Sequence, residues 1–74
     1  MVVSNDTLYL ATTIHNIMRY MNWNAVKTTI WLKVENPLLG GDTPLEYWEK
    51  RGGKKLCAIV HAALEDGGHV WERL

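Results

Sequence analysis

The sequence predicts an all-α fold, a single small domain of four short helices. Its 74 residues suffice for one domain. Apolar residues recur at spacings of three and four, the period of an amphipathic helix, rather than in strict alternation. Asparagine, proline and paired glycines interrupt this pattern repeatedly and divide the chain into four helical stretches.

The first helix is expected from about Asp6 to Met21, with capping oxygens available from Ser4 onward. Asparagines favour turns and helix caps, so the segment 22–24 should end it. Its predicted buried stripe consists of Leu10, Ile14, Ile17, Met18 and Met21.

A second, shorter helix should follow Asn24. Val26, Ile30 and Trp31 are predicted to share one side of it. Lys27 and Lys33 are then left to solvent. The β-branched run 28–30 makes a strand the local alternative.

The segment 35–41 has the composition of a loop. Pro37 disfavours helical geometry at Asn36, and Gly40 and Gly41 permit a turn with positive φ. The apolar pair at positions 38 and 39 is expected to be anchored in the core rather than to serve as a contact.

The third helix has the clearest start signal. Thr43, Pro44 and Glu46 fit a capping box with proline at the first helical position, and the glycines at 52 and 53 should stop the helix. The fourth is expected from about Lys54 to Asp66, followed by a tail over 67–74. Its predicted buried stripe consists of Leu56, Ile59, Val60, Ala63 and Leu64.

Composition argues against several classes of function and location. Eight acidic residues balance eight basic ones, which argues against a dedicated nucleic-acid binder. Cys57 is the single cysteine, and no stretch looks like a signal peptide or a membrane span, so a soluble cytoplasmic protein is expected.

Catalytic chemistry finds little support. Cys57 and His61 are four residues apart, a spacing that suits two metal ligands or a thiol and its base, but core packing of the thiol is favoured. Ser4 is the only serine and precedes the first helix. We therefore expect no enzyme activity, no cofactor and no metal.

The segment 50–55 is a candidate anion site. Lys50, Arg51, Lys54 and Lys55 flank two glycines where one helix ends and the next begins. A glycine turn with a helix N-terminus can bind a phosphate through backbone N–H groups. The competing interpretation is a solvated turn whose charges favour solubility.

Aromatic content points to binding instead. The chain has four tryptophans, three tyrosines and no phenylalanine, more large rings than so small a core can hide. Surplus tryptophan over a core of marginal size also favours a homodimer.

Short motifs cross the middle of the chain: Trp31-Leu32, Asn36-Pro37-Leu38-Leu39-Gly40-Gly41, Thr43-Pro44-Leu45, and Gly53 before a Val/Leu-rich helix that closes at Gly67. In these motifs the chain resembles the Xre/MbcA/ParS-like antitoxin domain over residues 8–70. The resemblance implies a helical toxin-binding module whose partner is a RES-type toxin that degrades NAD. Asn36, Pro37, Gly40 and Gly41 would form its structural turn.

The resemblance also implies a mechanism, in which the antitoxin covers the entrance of the toxin's active site, partly with its C-terminal arm. Trp71 and Arg73 would lie on that arm. The stretch before Trp31 is too short for the helix-turn-helix domain of full-length members, so DNA-based autoregulation is not expected. A mobile-element protein that reuses the fold against another target is an alternative.

The leading expectation is therefore a protein-interaction module that inhibits a partner enzyme by steric occlusion. Its expected contacts are Tyr47, Trp48, Trp71 and Arg73. The alternative is a small nucleic-acid-binding domain that uses the basic turn 50–55.

Overall fold

A computed structural model describes residues 3–66 of the chain. Within them lie four α-helices and no strand, so the predicted all-α class is confirmed and the strand alternative at 28–30 is wrong. The predicted tail, with Trp71 and Arg73, lies outside the described residues. The helices are α1 (Asn5–Tyr20), α2 (Ala25–Lys33), α3 (Pro44–Arg51) and α4 (Gly53–Glu65), with a 3-10 helix at Pro37–Leu39 between α2 and α3.

Side-chain caps open three of the helices. Ser4 Oγ accepts the N–H of Thr7 at 3.2 Å before α1, and Asn24 Oδ1 accepts the N–H of Lys27 at 3.0 Å before α2. The predicted capping box at α3 is confirmed in both directions. Each cap satisfies a backbone donor that the helix itself leaves unpaired. In the α3 box, the Glu46 N–H donates to Thr43 Oγ1 at 3.1 Å and the Thr43 N–H donates to Glu46 Oε1 at 3.0 Å.

The corner between α1 and α2 has an unusual backbone. Asn22 and Trp23 adopt φ values of 56° and 63°. Asparagine tolerates this left-handed region, but a bulky side chain such as tryptophan rarely adopts it. The Trp23 N–H donates to the carbonyl of Met18 at 2.7 Å, which closes the corner immediately before α2 begins.

The predicted turn over 35–41 is confirmed and is built around one asparagine. Asn36 is buried, and its Oδ1 accepts the N–H of Leu38 at 3.0 Å, which caps the 3-10 helix. Its carbonyl accepts the N–H of Gly41 at 3.1 Å. Gly40 and Gly41 have φ values of 71° and 95°, the region for which glycine is suited.

The core lies between α1 and α4, the pair of helices that pack most extensively, and α2 and α3 close it. Two threonines are also buried, and each donates its hydroxyl to a carbonyl one turn back, Thr13 to Tyr9 at 2.9 Å and Thr28 to Asn24 at 2.9 Å. Burial therefore leaves neither hydroxyl unpaired. The buried apolar side chains are Ile17, Met21, Trp31, Leu39, Leu56 and Val60.

The predicted stripe of α4 faces the core as expected, with Leu56 and Val60 fully buried and its other members half-buried. The prediction that the pair 38–39 is anchored in the core holds for one member only. Leu39 is buried, whereas Leu38 is exposed. Adjacent residues of a 3-10 helix point in different directions, so one turn cannot bury both.

The predicted buried side of α2 is wrong. Trp31 is 1% exposed, but Val26 is 69% exposed and Ile30 is 40% exposed. Trp31 lies about 100° around the helix from Ile30 and about 140° from Val26, and its side of the helix is the one that faces the core. The larger ring takes the inner position together with Thr28 and the half-buried Leu32.

Candidate protein-interaction surface

The turn between α3 and α4 holds a carboxylate supplied by α1. Gly52 has no side chain to cap α4, and the N–H of Gly53 donates instead to Oδ1 of Asp6. The N-terminus of α4 therefore binds an anionic group of the chain itself. The Asp6 carboxylate engages one of the backbone N–H groups that the candidate anion site would have offered to a phosphate.

The basic side chains of the turn have different surroundings. Lys50 Nζ lies 3.1 Å from Oδ1 of Asp42, an ion pair within the chain. Arg51, Lys54 and Lys55 are exposed. The backbone N–H of Gly53, which this turn could offer to an anion, is therefore already engaged by Asp6, while three of the four basic side chains extend to solvent without an ion pair among the described residues.

The rings of α3 face inward more than outward. Tyr47 and Trp48 are half-buried and pack against the core. Trp48 Nε1–H donates to Asp6 Oδ2 at 2.7 Å, so the polar edge of the ring is engaged within the chain. Both residues were expected at a partner contact, and the structure gives each an internal packing role.

Cys57 and His61 are not part of a larger cluster of metal-ligating side chains among residues 3–66. Cys57 is half-buried, and His61 is exposed with its Nδ1 3.4 Å from Glu65 Oε1. Among residues 3–66, no three His, Cys, Asp or Glu side chains are grouped as a metal site would require. In the same part of the chain, no helix is both long enough and apolar enough to span a bilayer.

The outer side of α2 carries exposed apolar side chains, including Val26, the most exposed large hydrophobic residue among residues 3–66. Val26 and Ile30 lie one turn apart on the same face. Trp23, just before the helix, is 57% exposed, and Val34, just after it, is 45% exposed. We call these four residues the α2 strip.

The α2 strip has a rigid base. Trp31 and Thr28 are buried on the opposite side of the helix, and Asn24 caps its first turn. The Trp23 ring meets the His15 ring edge to face, with centroids 5.5 Å apart and planes at 69°. The apolar side chains are therefore displayed on a helix whose position the core determines.

Two lysines accompany the α2 strip. Lys27 and Lys33 are exposed, as predicted. The segment 21–34 contains no aspartate or glutamate, although the chain as a whole is balanced. The outer side of α2 is thus an apolar surface with a positive margin.

A second apolar area lies on α1. Leu8 and Tyr9 are exposed, and they line a shallow depression together with Asn5 and Thr12. Tyr20, at the end of the same helix, is also exposed. Among the described residues, no carboxylate, imidazole or thiol lines the depression.

The α2 strip was not predicted, because Val26 and Ile30 were expected in the core and Trp23 was not singled out among the surplus aromatic rings. A signal was present. Val26 and Ile30 are one helical turn apart, and Trp31 lies about 100° or more around the helix from both. Comparison of the chain with family models, with curated proteins and with solved structures finds no match.

Proposed function

We propose that the chain is a protein-interaction module that binds a partner protein through the α2 strip. The observation that carries the proposal is the exposure of Val26 and Ile30 on a helix whose opposite side is fixed in the core, with the exposed Trp23 in the corner just before it. Apolar side chains grouped on the surface of a small domain are typical of protein contacts. A tryptophan among them is typical of the residues that contribute most to binding.

The partner class comes from the motif resemblance. We propose a RES-type toxin as the partner and steric occlusion of its active site as the mode of inhibition. Trp71 and Arg73 keep their proposed place on an arm that enters the toxin, since an arginine fork pairs well with phosphate or carboxylate. The α2 strip would supply the apolar area that holds the module in place.

Preorganisation favours this use of α2. A helix fixed by Trp31 in the core and by Asn24 at its cap loses little conformational freedom when a partner binds. The exposed side chains of Val26 and Ile30 are β-branched and have few rotamers to lose. More of the interaction free energy then remains as affinity.

Growth rescue tests the proposal. A RES-type toxin is expressed in bacterial cells with the chain or its variants, and growth and cellular NAD content are measured. The unaltered chain should restore both. The double variant V26E/I30E should lose rescue, because two carboxylates replace the apolar contact on the outer side of α2.

The matched control is K54E/K55E, which introduces the same two carboxylates on the exposed start of α4. It should rescue as well as the unaltered chain. Circular dichroism of both purified variants checks that the helices are retained. Full rescue by a folded V26E/I30E variant would contradict the proposed surface, and failure of the unaltered chain to rescue would contradict the proposed partner.

A further inference from the structure

We infer that the α2 strip receives an acidic amphipathic helix of the partner protein. The inference rests on the proposed function and adds the chemistry of the segment that binds. It follows from two features of α2: the placement of its two lysines on either side of the apolar face, and the absence of acidic residues from the helix itself.

The lysines flank the apolar face on both sides. At 3.6 residues per turn, Lys33 lies about 20° beyond Val26 around the helix, and Lys27 lies about 60° beyond Ile30. The two lysines are six residues apart, about 9 Å along the axis. A helix laid over Val26 and Ile30 therefore passes between two ammonium groups.

The segment 21–34 contains no carboxylate, and Glu35, the residue that follows it, forms no ion pair among the described residues. Lys27 and Lys33 are both exposed, and the ion pairs of the described residues involve Lys50 and His61 instead. Two unpaired lysines beside an apolar face select a partner with carboxylates at its margins. Complementary charge of this kind sets register and excludes segments of the wrong sign.

The length of α2 sets the length of the partner helix that can cover it. Its nine residues span about 13.5 Å, so a partner helix of two to three turns covers it. Such a helix would place apolar residues at positions i, i+3 or i+4, and i+7 against Val26 and Ile30. Glutamate or aspartate on its two edges would reach Lys27 and Lys33.

A designed peptide tests the inference directly. The Glu peptide is a helix of about 15 residues with leucine at i, i+3, i+4 and i+7 and glutamate on both edges of that face; the Lys peptide carries lysine at the same edges. Binding of each fluorescently labelled peptide to the full chain is followed by anisotropy. The Glu peptide should bind saturably, and at least about tenfold more tightly than the Lys peptide.

Reversing the charges of Lys27 and Lys33 should reverse the preference of the chain for the Glu peptide over the Lys peptide. The variant K27E/K33E should lose affinity for the Glu peptide by about tenfold or more and gain affinity for the Lys peptide. The control K54E/K55E, with the same change in net charge away from α2, should keep the preference of the unaltered chain. Added salt should weaken the preferred pairing, because the contacts are at an exposed margin.

Three outcomes would overturn the inference: no saturable binding of the Glu peptide, equal binding of both peptides by the unaltered chain, or a dimer in light scattering that V26E/I30E dissociates. The growth assay separates this failure from that of the proposed function. If K27E/K33E still rescues cells while V26E/I30E does not, the α2 strip remains the partner surface and only the acidic character of its occupant is wrong.

Discussion

At the scale of single residues, Asp6 connects three helices. From the first turn of α1 it accepts one hydrogen bond from the backbone of Gly53 and one from the ring of Trp48. It thereby caps α4 from outside and orients α3. The basic turn that suggested anion binding is, in its backbone, a site for this carboxylate.

Replacement of Asp6 by alanine should lower the free energy of unfolding by about 1–2 kcal/mol, because two hydrogen bonds to a charged acceptor are lost and Gly53 keeps a buried, unpaired donor. Urea denaturation followed by circular dichroism measures it. The exposed carboxylate Glu49 in α3 supplies the control: E49A should change stability by less than about 0.5 kcal/mol. Equal effects of the two substitutions would refute the role given to Asp6.

Gly53 is a helix residue at which alanine should destabilise. A Cβ there would press against the backbone carbonyl oxygen of Asp6 and lie 3.1 Å from Cβ of Tyr9. Helix propensity alone would make G53A more stable by about 1 kcal/mol, but overpacking between α1 and α4 should reverse the sign, with a loss of about 1–3 kcal/mol. K54A, one residue along, should be nearly neutral. A thermal melt in which G53A gains stability would contradict the close approach.

Trp23 combines an unfavourable backbone conformation with an exposed ring. Glycine accepts the φ of 63° without strain, but W23G also removes the edge-to-face contact with His15, so the two effects should offset and stability should change by less than about 1 kcal/mol. The same variant should lose growth rescue, because the ring of the α2 strip is gone. Asn22→Gly, at the neighbouring left-handed position, is the control and should keep rescue. A W23G variant that rescues fully would remove Trp23 from the binding surface.

At the scale of secondary structure, the sequence predicts where helices begin better than which way they face. The starts of α2 and α3 follow from Asn24 and Thr43, whose side chains bond to backbone within one turn. Such signals are local and can be recognised in a short segment. The orientation of α2 is different, because it depends on whether Trp31 or Val26 fits the space left by α1 and α4.

The α3 cap is the most direct test of a local signal. T43A removes the oxygen that accepts the Glu46 N–H and should lower the free energy of unfolding by about 1 kcal/mol. T43S keeps the hydroxyl and should lose much less. Denaturant midpoints of the two variants distinguish a capping effect from a general effect of substitution at this position. Equal losses would show that the hydroxyl does not stabilise α3.

At the scale of the whole molecule, composition predicts that some aromatic rings stay exposed but does not predict which ones. Tyr47 and Trp48 lie at the contact between α3 and the core, whereas Trp23 and Tyr20 are exposed. Composition shows that some rings must remain at the surface of so small a domain. Which rings do so depends on contacts between helices distant in sequence, such as the Asp6–Trp48 hydrogen bond across 42 residues.

Binding of a partner protein to the outer side of α2 can be mapped by nuclear magnetic resonance. The isotope-labelled chain is titrated with a RES-type toxin, and its amide and tryptophan indole resonances are followed. We expect shifts in the Trp23 indole and in the amides of 24–34, with little change at Lys54 and Lys55. Shifts centred on the basic turn or on the Trp48 indole, with α2 unchanged, would contradict binding at this surface.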